Sequence, residues 1–139
     1  MRKNNFILFL VLFLAIITTA LHFLAGELYL YWTYWWFDWM VHFLVSFAGG
    51  LGLYWGLFLS GIIFRGAPRK KIFAVLAVFL LVMAVGIGWE IFEYVNGITD
   101  AVEAKYYLDV MHDLLSDAVG ALLAVFIGIK HNPSVSMLK

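Results

Sequence analysis

Four long apolar stretches are the main feature of the hydropathy pattern along this chain. Each is long enough to cross a hydrocarbon core of about 30 Å, which takes about 20 helical residues. The stretches are apolar all round and do not alternate with a period of two, so they predict helices rather than the strands of a barrel. The second stretch contains Gly49, Gly50, Gly52 and Gly56, and the spacing of four between Gly52 and Gly56 permits close helix packing. The predicted spans cover about residues 6–24, 39–64, 72–95 and 111–129.

The composition agrees with an integral membrane protein. Of the 139 residues, 65% are hydrophobic and only 13% are charged, which lies well outside the range of water-soluble domains. This length suits one compact domain, so we expect an all-α, integral membrane four-helix bundle that forms a single transmembrane domain over residues 1–139. Arg2 and Lys3 before the first apolar run also fit a cleaved signal peptide, but a run of about 19 residues favours a retained helix.

The basic residues predict how the helices are oriented. They cluster in the amino terminus, in residues 65–71 and in the carboxyl tail, and short cytoplasmic segments of membrane proteins are enriched in Lys and Arg. We therefore expect a multi-pass protein of the cytoplasmic (plasma) membrane with both termini inside the cell. Residues 25–37 and 96–110 would then face outward.

The charged residues are segregated along the axis of the predicted bundle. Nine bases and nine acids give a net charge of zero, but every base except Lys105 falls at the inner ends. The near-neutral balance argues against a nucleic-acid partner, and the absence of cysteine excludes thiolate metal sites and disulfides. All nine acids fall at the outer ends: Glu27, Asp38, Glu90, Glu93, Asp100, Glu103, Asp109, Asp113 and Asp117.

An aromatic segment lies between the first two predicted spans. Trp and Tyr are enriched where the membrane meets water, so this segment predicts a short interfacial stretch, and a short helix at the headgroup level would fit it. It could also serve as a platform for a lipid tail or a sugar. Its aromatic residues are Tyr29, Tyr31, Trp32, Tyr34, Trp35, Trp36, Phe37 and Trp39.

Ionisable residues, with one serine among them, recur at helical spacing near the outer ends of three spans. Spacings of three or four residues place them on one face of each helix, and a rise of 1.5 Å per residue puts the deeper ones about 6–9 Å below the outer ends. Facing lipid, each ionised group would cost about 1–3 kcal/mol, so we expect the faces to converge inside the bundle. The residues are Asp38, His42 and Ser46 in the second span, Glu90 and Glu93 in the third, and Asp109, His112, Asp113 and Asp117 in the fourth.

Six carboxylates in one layer need a counter-charge. Lys105 is the only Lys or Arg expected near them, so some must be protonated or a cation must bind among them. Carboxylate and imidazole ligands suit a divalent ion such as Zn, Mn, Fe(II) or Mg, which could activate water for catalysis. The expected ligands are His42, Glu90, Glu93, Asp113 and Asp117, with Asp38, Asp109 and His112 as secondary candidates and with Glu90 and Asp113 as the catalytic candidates.

Structural roles compete with this hypothesis residue by residue. Asp38 is well placed to cap the second helix, and Asp109 and Asp113 favour the positive amino-terminal end of the fourth. Glu90 and Glu93 could extend toward the headgroups. Each of these roles explains one or two residues, whereas a site inside the bundle explains their common depth.

Three short motifs carry a resemblance to a known family. They are Asp38-x-x-x-His42-Phe43, Gly88-Trp89-Glu90-Ile91-Phe92-Glu93 and Asp109-x-x-x-Asp113-x-x-x-Asp117-x-x-Gly120-Ala121. They resemble the VanZ-like family of small membrane proteins and the neighbouring YjdF-like group, over about residues 38–128. The name-giving member is associated with teicoplanin resistance, so the resemblance implies a cell-envelope role at the outer face of the membrane. The positions that it carries over are His42, Glu90, Asp113, Asp117 and Gly120, while Glu93 and Asp117 stand where that family often has Gln and Asn.

Three functions are compatible with these observations. The first is a protein whose extracytoplasmic metal site binds or acts on a lipid-linked substrate of the cell envelope, and the sequence leaves open whether it is an enzyme. The second is a non-catalytic membrane scaffold or accessory protein. The third is a proton or cation conductor, which fits less well because residues 72–88 carry no ionisable side chain and a conducting path needs polar groups. Membrane lipids are partners in every case, and a pore would require a homo-oligomer.

Overall fold

The computed structural model describes residues 3–64, 68, 70–98 and 106–132, with the side chains of residues 3–5 left out. Within these ranges, four helices are long and apolar enough to cross a membrane. The expectation of an all-α membrane protein with four spans is therefore confirmed. The helices are α1 (Lys3–Glu27), the single turn α2 (Leu30–Thr33), α3 (Phe37–Tyr54, continued by a π-helical turn Trp55–Leu59), α4 (Lys71–Asn96) and α5 (Tyr106–His131).

Two helix boundaries differ from the predicted ones. The second spanning helix ends at Leu59 rather than near residue 64, although the residues that follow are still apolar. Ser60 explains the difference, because its hydroxyl donates to the carbonyl of Gly56 and accepts from the amide of Ile62. Gly61 then takes a positive φ of 74°, a conformation that commonly ends helices. At the other boundary, α5 already begins at Tyr106.

Close backbone contact joins α3 and α5, which run parallel. A Cβ atom added at Gly120 would lie 2.7 Å from the Phe43 carbonyl oxygen, and one at Gly50 would lie 2.8 Å from Cβ of Ala124. Only small residues permit such an approach. Gly52 instead faces Val11 of α1 at 3.5 Å. Gly56 has nothing within 4 Å, so the pair predicted from spacing does not form the tight contact.

An apolar layer fills the half of the bundle that lies toward the start of α4 and the end of α5. Tyr54 is fully buried there, and its ring packs against Gly128. Its hydroxyl accepts a hydrogen bond of 3.4 Å from the side-chain amide of Asn132. The residues of this layer are Tyr54, Phe58, Ala74, Val78, Val82, Ala121 and Val125.

The connection between α1 and α3 lies at the opposite end and carries the aromatic segment. Tyr29 begins the α2 turn with a positive φ of 55°. A hydrogen bond of 2.8 Å joins the Tyr31 hydroxyl to Nδ1 of His22, so the connection is tied back to α1. Burial, together with the charge of the Asp38 carboxylate, raises the pKa of Tyr31 to about 12. The side chains of Trp32 and Trp35 are exposed, as expected for an interfacial segment.

Candidate functional site

A cluster of buried ionisable side chains lies at the end of the bundle where α3 and α5 begin and α4 ends. We call it the acidic cluster and define it as Asp38, His42, Glu90, Asp113 and Asp117. Asp38 is partly buried, while the other four are between 2% and 8% exposed. The three helices therefore do turn their polar faces inward. In the described part of the chain, Lys70, Lys71 and Lys130 belong to the opposite ends of these helices.

His42 is the centre of the acidic cluster. Its Nδ1 lies 3.3 Å from Oδ1 of Asp117, and its Nε2 lies 4.0 Å from carboxylate oxygens of both Asp38 and Glu90. An Nδ1–H that donates to Asp117 leaves Nε2 as the free nitrogen of the neutral ring. Imidazoles that bind metals commonly show this arrangement, in which a carboxylate holds one nitrogen and the other faces the ion.

The side chain of Asp117 packs between α3 and α4. Its Oδ1 accepts hydrogen bonds from the Ser46 hydroxyl and from His42. Its Oδ2 lies so close to Gly86 that any side chain at position 86 would overlap it. Gly120, three residues further along α5, allows Ser46 to approach. The glycines on both sides thus explain how a carboxylate can be buried in this narrow space.

Three members of the cluster can hold a metal ion. Asp38, His42 and Asp113 each offer a ligand atom, and these atoms lie within 4.8 Å of one another. Zinc–ligand distances are about 2.0–2.2 Å, so three ligand atoms spaced evenly around one ion lie about 3.3–3.8 Å from one another. Side-chain movements of less than about 1 Å would therefore suffice to close the group around an ion.

Several buried polar atoms of the cluster have no hydrogen-bond partner among the described residues. They are Oε1 of Glu90, Oδ1 of Asp113 and Oδ2 of Asp117. The only described ion pairs of these carboxylates involve the single imidazole of His42. An unpaired buried carboxylate is costly, so its neighbourhood favours a proton or a bound cation. This environment is the main chemical property of the site.

The remaining candidates lie around the cluster rather than inside it. The carboxylate of Glu93 accepts a hydrogen bond of 2.8 Å from the indole of Trp89. His112 packs its ring against Trp39, with 4.1 Å between the ring centroids. Asp109 is partly buried in the first turn of α5. Of the secondary candidates, only Asp38 joins the group whose geometry can hold a metal ion.

Two features of the site and its surroundings do not follow from the sequence pattern. The spacing of Ser46 predicts that it shares a face with His42, but it does not predict that its hydroxyl donates to Asp117. Trp39 belongs to the aromatic segment, and its indole nitrogen is buried without a hydrogen-bond partner in the described part of the chain. Its position three residues before His42, on the same face of α3, is the signal in the sequence that it lies toward the interior.

The fold and the site define a multi-pass helical membrane protein with a histidine-centred acidic cluster near one end of its spans. The chain belongs to the family described as predicted membrane protein (DUF2238), whose family model matches residues 2–133. No curated protein and no solved structure matches the chain. The family match supports membership in a membrane-protein family but gives no support to the VanZ-like assignment, which stays a prediction.

Proposed function

We propose that the acidic cluster binds a divalent metal ion, and that the protein uses it to bind or act on a lipid-linked substrate of the cell envelope. The observation that carries this proposal is the set of buried carboxylate oxygens without hydrogen-bond partners, on Glu90, Asp113 and Asp117, in the cluster around His42. A divalent cation supplies the missing charge at the place where no described Lys or Arg reaches. One described imidazole cannot neutralise four carboxylates.

The contacts suggest a division of roles within the cluster. Asp38, His42 and Asp113 are the ligands, because their atoms come closest to a common centre. Asp117 acts as a positioning residue that holds Nδ1 of His42. A mixed carboxylate and imidazole set suits Zn, Mn or Fe(II), and Mg less well because it prefers oxygen ligands. In the enzymatic version of the proposal, Asp38, His42 and Asp113 would hold a metal that supplies Lewis-acid chemistry toward a phosphate or carbonyl group, and Glu90 would accept a proton.

Metal analysis of the purified protein tests this proposal directly. Protein produced with replete metal and washed in detergent should retain about one divalent ion per chain, as expected for one closed ligand set. Asp113→Asn should lose it, because an amide is a weaker ligand than a carboxylate. Glu93→Gln is the matched control, since its carboxylate is bonded to Trp89. Metal-free wild-type protein would contradict the proposal.

A structural role for the cluster is the second candidate. The hydrogen bonds from Ser46 and His42 to Asp117 join α3 to α5, which is what a scaffold or accessory protein would need. Alanine at His42, Glu90 and Asp117 separates the two functions. If these variants lower stability while the protein carries no metal in any form, the acidic cluster is structural.

The packing disfavours a conductor. The apolar layer lies between the acidic cluster and the opposite ends of the helices, and a proton or cation path needs polar groups or water through the whole thickness. Tyr54, the polar residue within that layer, is fully buried and packs its ring against Gly128. We therefore do not propose transport across this single chain.

The proposed location is the plasma membrane, with both termini in the cytoplasm and the acidic cluster toward the outside. This orientation follows from the basic residues of the inner segments, and the VanZ-like resemblance agrees with an envelope role. The chain contains no cysteine, so single cysteines can report the topology. A cysteine at Trp32 should react with an impermeant maleimide on intact cells, whereas one at Ser134 should react only after lysis. The reverse pattern would overturn the orientation.

A further inference from the structure

A groove of about 270 Å³ runs along the seam between α4 and α5. Its walls are apolar, with Ile87 and Ile91 on α4 and Val110 and Leu114 on α5. Among the described residues that line it, Glu90 is the only carboxylate or imidazole. The groove therefore combines hydrocarbon-like walls with one acidic group.

The groove extends from the end of the bundle toward its middle. Tyr94 and Tyr106 stand at the outer end, with 6.3 Å between their ring centroids. Since α4 ends at Asn96, a rise of 1.5 Å per residue places Glu90 about 9 Å and Ile87 about 14 Å from that end. A hydrocarbon core is about 30 Å thick, so the groove reaches well into the half of the core next to that end.

Glu90 connects the groove to the acidic cluster. Its side chain is only 7% exposed, and its Oε1 lies 4.0 Å from Nε2 of His42 without a hydrogen bond. The same side chain lines the groove, whereas the other members of the cluster do not. A molecule in the groove would thus meet the cluster through Glu90.

The size and depth of the groove favour a lipid chain as its occupant. A helix is about 10 Å wide with its side chains, so a helical segment as long as this groove would occupy roughly 800 Å³. The groove provides about a third of that volume. A single hydrocarbon chain, whose carbons approach their neighbours to about 4 Å, fits such a space. Glu90, which lies midway along the groove, can contact the polar end of an amphiphilic lipid.

We propose that the α4–α5 groove admits one chain of a membrane lipid sideways from the bilayer and brings its polar end to Glu90. The assignment rests on the proposed function, because the acidic cluster is what would handle that polar end. It adds the substrate class, an amphiphile with a single inserted chain, and the route of entry. It also makes Glu90 the residue of the cluster that faces the substrate.

Photo-crosslinking in vesicles tests the groove. The probe is a phosphatidylethanolamine with a diazirine midway along one acyl chain, in phosphatidylcholine vesicles that contain the purified protein. Its ammonium group complements the Glu90 carboxylate. Labelled peptides should include the groove walls of α4 and α5. Val110→Trp, which fills the groove, should lower this labelling about tenfold, equivalent to about 1.4 kcal/mol of binding free energy.

Leu115→Trp is the matched control, because Leu115 is on the same helix but outside the groove lining and is 59% exposed. Ile91→Trp fills the groove from the other wall and serves if Val110→Trp does not fold. Equal labelling in the groove variants and in Leu115→Trp would overturn the proposal.

Metal content measured on the same preparations keeps the two proposals apart. Groove-specific labelling of metal-free protein would support the lipid site and refute the metal. Metal-loaded protein with uniform labelling of all lipid-facing surfaces would refute the groove and leave the metal site standing.

Discussion

Replacing Gly120 by alanine should separate α3 from α5 and weaken the acidic cluster. The added Cβ would lie 2.7 Å from the Phe43 carbonyl oxygen and 2.9 Å from the Phe47 amide nitrogen. Ordinary contacts begin near 3.4 Å, so the helices must move apart by about 0.7 Å, because neither backbone atom can rotate away. Overpacking of this kind costs about 1–3 kcal/mol.

The same displacement has a consequence for the site. If α3 moves by that amount, the 3.3 Å contact between His42 and Asp117 lengthens to about 4 Å, beyond hydrogen-bond distance. Unfolding by a denaturing detergent, followed by tryptophan fluorescence in micelles, should therefore show a loss of about 1–3 kcal/mol. Metal retention should fall in the same variant.

Gly49→Ala provides the control for this experiment. Gly49 is on α3 and has nothing within 4 Å of an added Cβ, so Gly49→Ala should not destabilise the protein and should stabilise it by up to about 1 kcal/mol through helix propensity. If Gly120→Ala is no more destabilising than Gly49→Ala, the close approach of α3 and α5 is refuted.

Three further predictions concern single contacts. Ser46→Ala removes the hydroxyl that bonds Asp117 and should cost about 1–3 kcal/mol of unfolding free energy, because a buried carboxylate loses a partner. Gly128→Ala would place a Cβ 2.5 Å from the ring of Tyr54 and should cost about 1–3 kcal/mol without changing metal content. Tyr31 should ionise at about 12, so the ultraviolet difference titration between wild type and Tyr31→Phe should show one phenol near that pH. The folded state holds this proton more tightly than the unfolded chain, so the stability that Tyr31 contributes is lost as the pH rises from about 10 to about 12.

Each of these predictions has a control or a contradicting result. Ser60→Ala is the control, because among the described residues the Ser60 hydroxyl bonds only to Gly56 and Ile62 near it in sequence. If it lowers the unfolding free energy as much as Ser46→Ala does, the bond from Ser46 to Asp117 has no particular importance for stability. Gly88 has nothing within 4 Å of an added Cβ, so Gly88→Ala should not lower stability and should raise it by up to about 1 kcal/mol through helix propensity. A Tyr31 phenol that titrates at the same pH in the folded and in the unfolded protein would refute the burial of Tyr31.

The four spans were predictable because their length and composition are properties of local sequence. The end of the second span was not, since residues 60–64 remain apolar while Ser60 and Gly61 bend the chain. The packing glycine was likewise missed. Gly52 and Gly56 have the expected spacing, but Gly50 faces Ala124 of α5, because spacing does not tell which side of a helix meets which neighbour.

The convergence of the polar faces was predictable from helical periodicity, but the membership of the cluster was not. Glu93 lies three residues after Glu90, yet the indole of Trp89 holds its carboxylate. From sequence, Asp38 is a possible helix cap and only a secondary candidate ligand, but its carboxylate lies 4.0 Å from Nε2 of His42. Such choices depend on side-chain conformation and on the neighbouring helices, which a single sequence does not specify.

The apolar layer separates the acidic cluster from the opposite ends of the spanning helices. Tyr54, Val78 and Val125, all fully or almost fully buried there, leave no polar route between the cluster and the far ends of the described helices. Protons and ions should therefore reach the cluster from its own end of the bundle rather than through the apolar layer. The protonation of the cluster, and its occupancy by the proposed cation, should then follow the pH and ion content of the compartment at that end.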